Sequence, residues 1–105
     1  MNKSELLKKL QDFEATLKKL IIEVSGYSSR AKEILDGSTD YLMVSSFVVD
    51  INSARRKNNI QIKQLQGFSD AEVQGIDWTN VLEWMQDRIV SFNERLKYLK
   101  SRIYL

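Results

Sequence analysis

One hundred and five residues and 12.3 kDa are enough chain for one core and not two, so residues 1–105 read as a single helical-bundle domain. The chain has no His, Cys or Pro, which excludes Cys/His zinc sites, thiol or imidazole catalysis, disulfides and cis-proline turns. Sixteen Lys and Arg against fourteen Asp and Glu leave +2, too little for a global polyanion-binding field.

Leu, Ile, Val and Phe make up about 30% of the residues, above the roughly 20% below which chains tend to stay disordered. The charge is unevenly spread: residues 34 to 50 hold Asp36, Asp40 and Asp50 and no base, whereas residues 86 to 105 hold five bases against Asp87 and Glu94. Lysines interrupt the N-terminal leucines where a signal peptide needs an unbroken apolar run, and no window reaches the ~18 apolar residues of a membrane span. The expected location is the cytoplasm.

The first predicted element is a long helix. Leu6, Leu10, Phe13, Leu17, Leu20, Val24, Tyr27, Ala31 and Ile34 alternate spacings of four and three, the signature of a heptad seam. Leu7, Ile21 and Leu35 widen it enough to face two neighbours. Asn2 and Glu5 form a candidate capping pair, Gly26 is a candidate hinge, and Asp36-Gly37 is the expected end, with Ser38, Thr39 and Asp40 available to cap the next element.

Residues 41 to 66 are ambiguous, because Tyr41 to Val44 and Phe47 to Val49 are apolar on every side and rich in β-branched residues. A strand over 41 to 51 is the alternative, but Val44, Phe47, Ile51 and Ala54 keep helical spacing and no Gly or Pro intervenes before Gly67, so the reading is a second helix. Asn58 falls on its seam, and the four-residue step to Ile62 and Leu65 predicts an irregularity near 58. Ser69 to Glu72 has the capping-box pattern of a short helical turn. Gly75 ends that turn, and Asp77 caps a last helix with the seam Trp78, Leu82, Met85, Ile89, Phe92, Leu96, Leu99 and Ile103. The expected fold is all-α: an antiparallel bundle of three long helices with a short helical turn before the last, and homodimerisation as a candidate way to complete it.

Val81, Arg88, Arg95 and Arg102 repeat every seven residues along one edge of the last helix, with Trp84 and Tyr98 each four residues before an arginine. Guanidinium groups interleaved with aromatic rings suit protein interfaces, so Trp84, Arg88, Arg95, Tyr98 and Arg102 are candidate partner-binding residues. The same edge with Arg55, Arg56 and Lys57 is a candidate nucleic-acid surface. A purely structural reading lays the arginines along the bundle groove, paired with Glu14 or Glu23 of the first helix. The apolar excess around Met43, Phe47 and Val48 is the candidate self-association surface, unless Trp84 and Phe68 cover it within one chain. No glycine-rich phosphate loop, helix-turn-helix spacing or Glu-x-x-His pattern is present. Glu83 and Asp87 fall on the outer face. No catalytic residue, metal site or cofactor is therefore expected, and the functional expectation is a non-enzymatic adaptor, inhibitor or chaperone-like module for a protein partner, with nucleic-acid binding as the alternative.

Overall fold

The computed structural model describes the backbone of residues 1–34 and 39–103 and the side chains of residues 1–27 and 42–102. The expected roles of Ala31, Ile34, Leu35, the Asp36-Gly37 end, the cap at 38 to 40, Tyr41 and Ile103 fall outside the described residues or side chains. Four helices follow in order: α1 (Lys3–Ile34), α2 (Thr39–Gln66), α3 (Asp70–Gln74) and α4 (Thr79–Ile103). No strand occurs among the described residues, so residues 41 to 51 are helical. No helix among them is long and apolar enough to cross a membrane.

The bundle measures 54 × 19 × 17 Å, and its long axis is close to the ~48 Å that 32 residues of α-helix span. Its core is the sum of the seams. Leu6, Leu10, Phe13, Leu17, Leu20 and Val24 of α1 are buried with Val44, Phe47, Ile51, Ala54 and Leu65 of α2 and Met85, Phe92 and Leu99 of α4. The α1 N-terminus is capped as its sequence implies, with the Glu5 amide donating to Asn2 Oδ1 at 2.8 Å and Asn2 Nδ2 donating to Glu5 Oε1 at 3.0 Å. Gly26 does not break α1, which is one continuous helix through it.

Contacts between helices fix their directions. Asn58 of α2 meets Leu10 of α1, and Arg55 meets Glu14, so these two helices run antiparallel. Trp84 of α4 meets Phe13, and Lys100 meets Glu23, so α4 runs parallel to α1 and antiparallel to α2. α1 and α2 approach closely along their length, and α4 leans on the pair with fewer close backbone approaches.

The irregularity expected near Asn58 is absent, because α2 is continuous from Thr39 to Gln66. Asn58 stays on the seam, fully buried, with its amide Nδ2 donating to the Leu10 carbonyl at 2.8 Å. A polar seam residue with a partner across the interface needs no helix break. Past Gly67, the capping box at α3 closes in both directions: Ser69 Oγ accepts from the Glu72 amide at 3.2 Å and Glu72 Oε1 accepts from the Ser69 amide at 3.0 Å. Trp78 Nε1 donates to the Val73 carbonyl and joins α3 to the start of α4, while Lys3 Nζ donates to the Phe68 carbonyl and ties α1 to the far end of α2.

Candidate functional site

The arginine edge of α4 faces α2. A row of α2 residues, Met43, Phe47, Asp50, Ala54 and Lys57, repeats at four and three and lies along this junction, lining its grooves with α4 residues or contacting them. Arg95 Nη1 donates to Asp50 Oδ2 at 2.7 Å, and its guanidinium carbon lies 4.4 Å from the centroid of the Phe47 ring. Aromatic floor and carboxylate together hold the Arg95 fork in one orientation.

This pairing replaces the one expected from sequence. Glu14 is taken by Arg55, whose Nε donates at 3.0 Å, and Glu23 by Lys100 at 3.0 Å. Tyr27 Oη also donates to Glu23, at 2.9 Å. The Lys100 hydrogen bond first, and the Tyr27 bond second, hold the Glu23 carboxyl below the usual carboxylate range. The acceptor that sequence reasoning missed is Asp50. The four-and-three row from Met43 to Lys57 carried the signal, since it runs beside the core seam of α2.

The expected stacking of Arg88 on Trp84 is also reassigned. Trp84 meets the Phe13 ring edge-on, with centroids 5.5 Å apart and planes at 80°, and the cation over it is Lys57, with Nζ 4.5 Å from the centroid. Arg88 instead has its guanidinium carbon 5.7 Å from the Phe92 centroid, and its buried Nε has no hydrogen-bond partner. Trp84 and Arg88 are both half-buried, so they build the junction more than they present it.

Beyond the Arg95 and Asp50 pair, towards the C-terminal end of α4, the junction opens into a groove of about 360 Å³. Met43, Phe47 and Leu99 supply its apolar surface, Tyr98 stands beside it and half-exposed, and Arg95 and Arg102 lie along the edge. Five of the candidate residues, Met43, Phe47, Arg95, Tyr98 and Arg102, are thus brought to one place. Phe47 is a buried core residue there, and Val48 is half-buried against the core. Phe68 packs on Trp78 with centroids 6.4 Å apart, and Trp84 on Phe13. Neither covers the apolar start of α2, where Leu42, Met43 and Val49 are exposed.

Arg55, Arg56 and Lys57 are not gathered into a patch. Successive helical residues are about 100° apart, so Arg55 turns to Glu14 of α1, Arg56 faces outward beside Ser53, and Lys57 turns to Trp84 of α4. Glu83 and Asp87 are exposed, and no three His, Cys, Asp or Glu side chains converge among the described residues. Comparison with protein-family models, curated proteins and solved structures returns no match.

Proposed function

We propose that this chain is a non-enzymatic interaction module that receives an acidic amphipathic helix of a protein partner in the α2/α4 groove. The observation that carries this reading is the combination of an apolar floor, Met43, Phe47 and Leu99, with an arginine edge, Arg95 and Arg102. A volume of about 360 Å³ is at the small end for a ligand pocket and suits one or two apolar anchors of a docked helix. Arg95 and Arg102 stand two turns apart, about 10 Å along the axis, and so do carboxylates seven residues apart on a docked helix. From Arg88 to Arg102, α4 carries five bases against Glu94. Asp50 holds Arg95 and Glu23 holds Lys100, and the excess of bases along this stretch of α4 favours an acidic partner. Tyr98 supplies an amphipathic ring of the kind that anchors protein interfaces.

The test uses synthetic amphipathic helices with two leucines one turn apart and two glutamates seven apart, and matched peptides with lysines in place of the glutamates. The acidic peptides are expected to shift the backbone amide NMR signals of Met43, Phe47, Ser91 and Tyr98. Binding should weaken about tenfold or more in Tyr98→Ala and in Arg102→Glu, with the helical circular dichroism unchanged. Equal binding of the lysine peptides, or shifts confined to another face, would overturn the reading. A single-stranded oligonucleotide that binds at Arg95 and Arg102 with a steep salt dependence would transfer the edge to nucleic acid.

A further inference from the structure

On the other side of the Arg95 and Asp50 pair from the groove, α2 and α4 enclose a second cleft of about 220 Å³. Asp50, Ser53, Ala54 and Lys57 of α2 line it with Trp84 and Arg88 of α4. Ala54, the smallest residue of the buried α2 seam, leaves the room. Two cations meet there without a carboxylate of their own. Arg55 has Glu14, Arg95 has Asp50 and Lys100 has Glu23. Lys57 and Arg88 have only rings, Trp84 and Phe92, and neither makes a hydrogen bond or ion pair among the described residues. A ring face attracts a cation but leaves its N–H donors unused. Arg88 Nε is buried as well, and an unmade bond at a buried donor is a cost that a ligand oxygen removes. Asp50, the one carboxylate among the lining residues, holds Arg95 at 2.7 Å.

We infer that this cleft binds the phosphoryl group of a phosphate monoester, with Lys57 and Arg88 as its two cations. Charge, donors and size select the ligand class. Cations on two facing helices call for a group with a charge close to −2 and oxygens pointing several ways. A phosphate monoester has both near neutral pH, and a carboxylate or a phosphodiester does not. The planar fork of Arg88 suits two of the oxygens, and Lys57 meets another as a point charge. Ser53 adds a donor: its Oγ accepts from Arg56 Nη2 at 3.3 Å, which leaves the hydroxyl proton for a ligand oxygen. A volume of about 220 Å³ is below the ~300 Å³ at which pockets for whole drug-sized ligands begin, so the cleft takes the head group and the rest of the ester lies outside. It uses neither Tyr98 nor Arg102, so this site and the peptide groove can fail separately.

The probe is phenyl phosphate, titrated at about pH 7.5, where it is a dianion, and followed by NMR. It is expected to shift the backbone amides of Ser53, Lys57 and Arg88 and the indole N–H of Trp84, with half-saturation on the order of 1 mM. The indole N–H of Trp78, bonded to the Val73 carbonyl, should stay in place. Lys57→Met and Arg88→Met should each weaken binding about tenfold or more. Lys57 is exposed, so its variant should keep the helical circular dichroism and carries the test even where Arg88→Met unfolds. The chain has no His, so acidification to about pH 5.5 acts through the ester, whose second proton binds near pH 6, and should weaken binding about fourfold. A phosphoserine peptide that binds more tightly than O-phosphoserine would place the ester on a protein, and equal binding would make it a small free ester; both support the site. Benzoate or dimethyl phosphate binding as tightly as phenyl phosphate, binding indifferent to Lys57→Met, or no shift at about 20 mM would each overturn the proposal.

Discussion

Asn58 of α2 donates from Nδ2 to the backbone carbonyl of Leu10 in α1 at 2.8 Å, from a position with no exposure to solvent. Leu10 lies inside α1, where its carbonyl already accepts a helical bond, so Asn58 takes the second lone pair. Its own Oδ1 is buried without a partner. The bond locks one register of α1 against α2, because a shift of either helix would strand the amide.

Asn58→Leu removes the unpartnered oxygen and leaves the Leu10 carbonyl bonded within α1. Its stability by urea unfolding is expected within about 1 kcal/mol of the parent. Asn58→Asp is expected to cost about 3 kcal/mol and to lower Tm by more than about 10 °C, since it buries a carboxylate against a carbonyl oxygen. Equal stability of the two variants would show that position 58 is not sealed from water.

The seams were legible because each is a repeated apolar spacing, and the capping box at Ser69 and the cap at Asn2 because local hydrogen bonds depend on residues three apart. What sequence could not supply were partners across helices. The irregularity expected near Asn58 ignored the Leu10 carbonyl, a backbone group with no mark in the sequence. Lys57 over Trp84 and Asp50 at Arg95 depend on which face of α2 meets α4, and the apolar run from Leu42 to Val49 hid that face. Grouping Met43, Phe47 and Val48 as one surface treated neighbours in the chain as neighbours in space, whereas the helix turns Phe47 into the core and leaves Met43 at the groove.

Two ion pairs of similar length differ in their surroundings. Arg55 and Glu14, 3.0 Å apart, have side chains 28% and 12% exposed, and Lys8 and Asp12, 3.1 Å apart, have side chains 76% and 67% exposed. Arg55→Ala leaves Glu14 nearly buried with no cation and is expected to cost about 2 kcal/mol. Lys8→Ala is expected to cost less than about 0.5 kcal/mol. Urea midpoints at low and high salt check both, and only the Lys8 contribution should vanish in high salt.

Glu23 joins the end of α4 to α1 through Lys100, with Tyr27 as a second donor. Its carboxyl is held below the usual range, so the folded state binds its proton less readily than the unfolded chain does. The contribution is therefore complete above the unfolded value of about 4.3 and is lost as pH falls through the lower folded value. Glu72 and Asp77, depressed by their bonds to Ser69 and to Thr79, act in the same direction. Glu23→Gln is expected to flatten the loss of stability between about pH 5 and pH 3, followed by Tm across that range. A pH profile unchanged in Glu23→Gln would mean that the Lys100 contact does not persist in solution.

Gly26 tests whether α1 carries a hinge. It lies within a continuous helix, exposed, and a Cβ built on it meets nothing within 4 Å. Alanine would therefore fit without strain while restricting the unfolded chain and adding helix propensity. Gly26→Ala is expected to stabilise the protein by roughly 0.5 to 1 kcal/mol and to raise Tm by about 2 to 8 °C, with no change in peptide binding at the groove. A variant that gains this stability and loses binding would show that docking bends α1 at Gly26. A variant that is destabilised would show that α1 is kinked there in solution, as the run Ser25-Gly26-Tyr27-Ser28-Ser29 suggests by sequence.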